Sequence, residues 1–133
     1  MATIKSYTDL QQSRKLAEIL PLESADQTWA RIAIAGANLD VSEELQYRHG
    51  DMPFQYYSGI GTPCWSLASL LDILPLFIEF KGNKYYLRFM KEYIEYSNDK
   101  VSITGRCLHT TCNNNLVDAS VEMIIKLHEL NLL

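Results

Sequence analysis

Cys107, His109 and Cys112 lie within a six-residue window, and soft thiolates with an imidazole are the donor set that zinc prefers. A closed structural site needs a fourth ligand, and Cys64, His49 and His128 are remote and not at paired spacing. No metal or other cofactor is therefore expected. The plainer expectation is a small buried Cys107 on the last strand, with His109 and Cys112 in the approach to the final helix. Cys64 is the second chemical candidate. Thr62-Pro63 reads as a helix cap followed by a first-turn proline, which puts Cys64 in a first helical turn. A helix N-terminus lowers a thiol pKa, and His49 or Asp51 could then serve as base or orienter of a nucleophile. No motif of a cysteine-enzyme family surrounds Cys64, and free cysteine is among the most buried residue types. Glu43, Glu44 and Asp51 read as solvated acids rather than an acid/base pair. The glycines are scattered, so no phosphate-cradling loop is present. No catalytic residue is assigned.

Aromatic residues carry the binding signal. Tyr47, His49, Met52, Phe54, Tyr56 and Tyr57 crowd a stretch without helical or strand period. Large aromatics are costly to leave exposed and are preferred anchors of interfaces. Tyr47, His49, Phe54, Tyr56 and Tyr57, with Trp65, are the expected binding residues, acting on a protein partner or a second copy of the chain. The bland alternative is a lid folded back over the core beside Trp65. Tyr85, Tyr86, Arg88, Tyr93 and Tyr96 among lysines have the ingredients of a stacking sheet for single-stranded nucleic acid. The net charge of −4 argues against that use.

A chain of 133 residues, 47% hydrophobic and 21% charged, has the length of one domain and the composition of a globular one. Acids dominate from Leu16 to Glu79 and bases from Lys81 to Arg106, an asymmetry that steers a partner or pairs one face with another. Three cysteines without paired spacing suit a reduced, cytoplasmic setting. The N-terminus lacks the apolar core of a signal peptide. The most apolar window, Leu67 to Ile78, is interrupted by Asp72 and Pro75 and is too short to span a bilayer.

These residues must be positioned by a small set of elements. Leu16 to Leu22 nearly repeats as Leu70 to Leu76, each copy ending an apolar helical pattern with a proline. Proline lacks an N–H and restricts the residue before it, so the helices should stop at Leu20 and Leu74. The first helix opens at Thr8, whose capping box is completed by Gln11; the second opens at Thr62. Thr28 to Ala35 alternates as a strand ended by Gly36. Gly36 to Gly61 reads as a long irregular loop with one helical turn at Ser42-Leu45. Leu76 to Phe80 and Tyr85 to Phe89 flank a turn at Gly82-Asn83. The apolar parity then switches from Leu87 and Phe89 to Ile94 and Tyr96, which requires a bulge or turn near Lys91. A turn at Ser97-Lys100 leads to a strand at Val101-Gly105. The asparagines at 113–115 cap a last helix with Val117, Val121, Ile124, Leu127 and Leu130 at helical spacing. The expected fold is α+β: three amphipathic helices packed on a small, mainly antiparallel β-meander, in the order α-β-loop-α-β-β-β-α.

Ser13 with Leu16 through Asp26, then Pro63 through Ala68, then Lys126 through Leu130 resemble segments of a group of small uncharacterised proteins. These are common in gut bacteria of the Bacteroides type and in their prophages and mobile elements. The resemblance covers the helices and implies context, a cytoplasmic accessory protein of phage or transposon origin. It assigns no residue a role. The expectation is a non-enzymatic interaction domain. A small cysteine- or zinc-dependent module is the alternative, and a single-stranded nucleic-acid binder the third reading.

Overall fold

The computed structural model describes residues 5–32, 42–47, 61–98 and 106–133. As the sequence leads one to expect, it is an α+β fold with three α-helices; among the described residues the strands form two antiparallel sheets where a single meander was expected. The chain groups into two compact units, Tyr7–Ser69 and Leu70–Leu133 together with Met1–Ser6.

In the first unit, α1 (Leu10–Ala17) is capped by Asp9 rather than Thr8. The Asp9 carboxylate accepts the Gln12 N–H at 2.8 Å, and Gln12 Oε1 accepts the Asp9 N–H at 3.1 Å. Thr8 is withdrawn from capping because the core uses it. Its N–H donates to the Trp65 carbonyl at 2.9 Å, and its hydroxyl accepts the Trp65 N–H at 3.1 Å. Regular helix ends at Ala17, but the Leu20 N–H still reaches the Leu16 carbonyl at 2.8 Å. The helix thus ends three residues short of the expected stop at Leu20, and one further turn closes ahead of Pro21. A short 3-10 turn follows at Leu22–Ser24. β1 (Gln27–Ile32) is the centre of a three-stranded sheet between β2 (Ser42–Tyr47) and β3 (Gly61–Cys64). Gln27 stands opposite Tyr47 on one side and Cys64 on the other.

Two expectations fail here. Residues 42–47 are a strand, not a helical turn in an irregular loop. Pairing with β1 supplies hydrogen bonds that no local period announces. Residues 62–64 are a strand rather than the start of the second helix. Pro63 lies on an edge strand, where a missing N–H costs the ladder least. α2 (Leu67–Ile73) begins later, with Ser66 Oγ accepting the Ser69 N–H at 3.2 Å. Leu74, the residue that follows α2, is buried and its N–H bonds the Leu70 carbonyl at 3.3 Å ahead of Pro75.

The second unit is a four-stranded sheet in the order β4-β5-β6-β7: β4 (Phe77–Phe80), β5 (Asn83–Met90), β6 (Tyr93–Ser97) and β7 (Cys107–Cys112). Lys81 and Gly82 form the first hairpin turn, one residue before its expected place, with φ of 50° and 79°. Positive φ at both central residues matches the right-handed twist of the strands, and glycine tolerates it at no steric cost. Lys91-Glu92 makes the second turn. It restores parity as expected, so that Leu87 faces Tyr96 and Phe89 faces Ile94. α3 (Leu116–Glu129) is capped by Asn115, whose side chain accepts the Asp118 N–H at 2.8 Å. It packs on β6 and β7, with Val117, Ile124, Leu127, Ile94 and Tyr96 all fully buried. The expected strand at Val101–Gly105 lies outside the described residues. His109 and Cys112, expected in the approach to α3, belong instead to β7, and Cys107 is exposed rather than buried.

Candidate functional site

The inner face of the four-stranded sheet meets α3. The outer face carries Phe77 and Glu79 on β4, Lys84, Tyr86, Arg88 and Met90 on β5, and Tyr93 and Glu95 on β6. Register settles this assignment, because Phe77 stands opposite Tyr86, Arg88 opposite Glu95, and Met90 opposite Tyr93. Phe77, Tyr86 and Met90 are 43%, 51% and 61% exposed, a concentration of large apolar side chains on one surface. The charges between them are ordered. Lys84 Nζ sits 4.2 Å from the centre of the Phe77 ring, and Arg88 Nε lies 3.9 Å from Glu95 Oε1.

β7 contributes Thr110 and Cys112 to the same face, opposite Glu95 and Tyr93. Between Tyr96 and Ser97 the register shifts, Tyr96 pairing with His109 but Ser97 with Cys107, so Leu108 is an extra residue. That bulge reverses the alternation. Cys107 turns outward, its Sγ 2.7 Å from Thr110 Oγ1 and 3.9 Å from Glu95 Oε2, while His109 stays on the inner face opposite Tyr96. The spacing that suggested a zinc site thus distributes its residues over both faces. No group of three His, Cys, Asp or Glu side chains among the described residues is arranged to hold a metal ion.

Behind β7, an open groove of about 450 Å³ runs between the strand and α3. It is lined by the consecutive residues His109 to Cys112 and by Glu122, Ile125, Lys126 and Glu129, which share one helical face. The Glu122 carboxylate accepts from Asn113 Nδ2 at 2.8 Å, and Lys126 Nζ lies 4.0 Å from Glu129. Burial, with the nearby Lys126 ammonium, pushes the His109 pKa below its ordinary value.

Cys64 does not stand at a helix terminus. It lies in β3, fully buried, where burial raises its thiol pKa against the lowering effect of hydrogen bonds from Thr8 and Ser13. Thr8 and Ser13 hydroxyls are 2.7 Å apart and Cys64 Sγ is 3.5 Å from Thr8 Oγ1, a packed, hydrogen-bonded polar knot.

Of the expected binding residues, Trp65 is fully buried, its indole N–H donating to Ser24 Oγ at 3.0 Å. Tyr47 is the last residue of β2. His49, Phe54, Tyr56 and Tyr57 lie outside the described residues. The tyrosines of the meander divide between faces. Tyr85 and Tyr96 are buried on the inner one, Tyr96 donating its hydroxyl to the Pro75 carbonyl at 2.6 Å; Tyr86 and Tyr93 remain outward. Sequence reasoning missed Phe77, Met90, Glu95 and Thr110 as members of one surface. Their parity along each strand was available, but the pairing between strands was not. No family model, curated protein or solved structure matches the chain.

Proposed function

We propose that this protein is a non-enzymatic interaction module that associates through the outer face of its four-stranded sheet, with a second copy of itself as the first partner. The exposed Phe77, Tyr86 and Met90 carry this reading. Glu79, Lys84, Arg88 and Glu95 balance in charge, so two such faces meet without a repulsive field. A two-fold axis along the strands between β5 and β6 sets Arg88 of each copy over Glu95 of the other, because the two residues share one register level. The aromatic segment around Tyr56 and Tyr57 extends the same role to a heterologous protein partner. The resemblance to small proteins of prophages and mobile elements fits a cytoplasmic accessory function.

Sedimentation velocity tests the reading. Wild-type protein should dimerise, and Met90→Lys should shift it to monomer while leaving the melting temperature within a few degrees, on the order of 1 kcal/mol. Arg88→Glu and Glu95→Arg should each weaken the dimer, and an equimolar mixture of the two variants should restore it as a heterodimer. A wild-type chain that is monomeric at about 1 mM, the weak end of specific association, would overturn the self-association.

A further inference from the structure

β7 is an edge strand among the described residues, and its hydrogen-bonding pattern can be read from its neighbours. The Asn113 N–H donates to the Glu92 carbonyl at 3.0 Å. Glu92 and Asn113 therefore continue the ladder in which Tyr93 faces Cys112 and Ile94 faces Thr111. Hydrogen-bonded and non-hydrogen-bonded pairs alternate along an antiparallel ladder. Thr111 thus exchanges its backbone bonds with Ile94, while the N–H and C=O groups of Thr110 and Cys112 point away from β6, toward the edge that pairs with no other strand among the described residues.

The groove follows that edge. Alternate residues of a strand point to opposite faces, so a cleft lined by four residues in succession, His109 to Cys112, lies along the rim and not on a face. The Leu108 bulge ends the regular edge where the groove ends. β4, the other edge, is only four residues long, one of the ways in which natural sheets blunt an edge. The wall opposite β7 is the α3 face with Ile125 between Glu122, Lys126 and Glu129. Its ionic groups are two carboxylates against one ammonium, in a chain of net charge −4.

We propose that the β7–α3 groove accepts an extended basic peptide segment, which adds to the sheet as a fifth strand. The outward groups of Thr110 and Cys112 supply the main-chain bonds. Lysine or arginine side chains directed at α3 lay their stems along Ile125 and bring their charge to Glu122 and Glu129, the arrangement that long basic side chains favour beside apolar surface. The charge balance selects this occupant over an acidic peptide. It also disfavours a second copy of the same edge, since a two-fold pairing of β7 with itself brings like charges of two α3 helices together. The proposal is independent of the dimer, which uses the face of the sheet and not its rim.

The test is amide exchange followed residue by residue by NMR, using capped hexapeptides that alternate lysine with valine or glutamate with valine. In free protein the Thr110 and Cys112 amides should exchange fast and the Thr111 amide slowly. Saturating lysine–valine peptide should slow Thr110 and Cys112 at least about tenfold, equivalent to some 1.4 kcal/mol of protection, and the glutamate–valine peptide should not. Cys112→Pro removes one outward donor without touching the ladder to β6, so it should abolish peptide protection while the Thr111 amide stays protected. Glu122→Lys, an exposed change, should weaken the lysine–valine peptide and provides a second check if the proline variant misfolds. Equal protection by both peptides, none by either at millimolar concentration, or protection that grows with protein concentration alone would each overturn the proposal.

Discussion

His109 illustrates how a single residue is defined by what faces it. Burial and the Lys126 ammonium hold its native pKa below the ordinary histidine value, against the pull of Glu122 and Glu129. The unfolded chain therefore binds a proton at higher pH than the native protein does. The resulting stability is present above about pH 6.5 and is lost as pH falls toward the lowered native pKa. Urea titrations between about pH 7 and pH 5 should show wild-type stability declining, and His109→Gln should decline less steeply over that window. Identical slopes would place His109 in an environment like that of the unfolded chain. Cys64 makes a parallel case. Its thiol is buried and its pKa raised, whereas Cys107 and Cys112 are exposed. A thiol-directed reagent near neutral pH should modify Cys107 and Cys112 in the folded protein and reach Cys64 only on denaturation. Rapid native labelling of Cys64 would reopen its reading as a nucleophile.

Helix ends were legible at the level of the element because their causes are local. Leu20 and Leu74 are buried and each closes its last turn before a proline, and Asn115 caps α3 with a side-chain bond spanning three residues. Leu74→Ala should cost about 2–5 kcal/mol, the range for truncations that leave a cavity, measured by denaturant unfolding. A loss below about 0.5 kcal/mol, the size of a surface effect, would contradict its burial. The turn at Lys91-Glu92 was likewise legible, since a switch of apolar parity demands one. The start of α2 was not. Thr62-Pro63 suits a helix cap and an edge strand equally, and only the pairing of β3 with β1 chooses between them. Thr8 and Asp9 were similarly ambiguous as caps of α1, until Trp65 drew the Thr8 hydroxyl into the core.

Across the whole molecule, composition and local pattern determined that the chain is an α+β protein with three amphipathic helices, an antiparallel meander and two proline-terminated helices. These follow from interactions among residues a few positions apart, which a sequence displays directly. The candidate surfaces were decided elsewhere. Whether Cys107 sides with Thr110 and Glu95 or with His109 depends on one extra residue in β7, and that bulge exists only relative to the register of β6. Whether Tyr86 faces outward while Tyr85 is buried depends on which side α3 covers, not on the strand's own alternation, which fits either side. Phe77, Arg88, Glu95 and Thr110 become one surface only once four strands are laid in order, and the β7 rim becomes a groove only because α3 returns beside it. Strand pairing joins residues through backbone groups that are the same in every amino acid, so the side chains of a single strand carry little record of their partners. That is why the elements could be read from the sequence, and the surfaces they compose only from the tertiary structure.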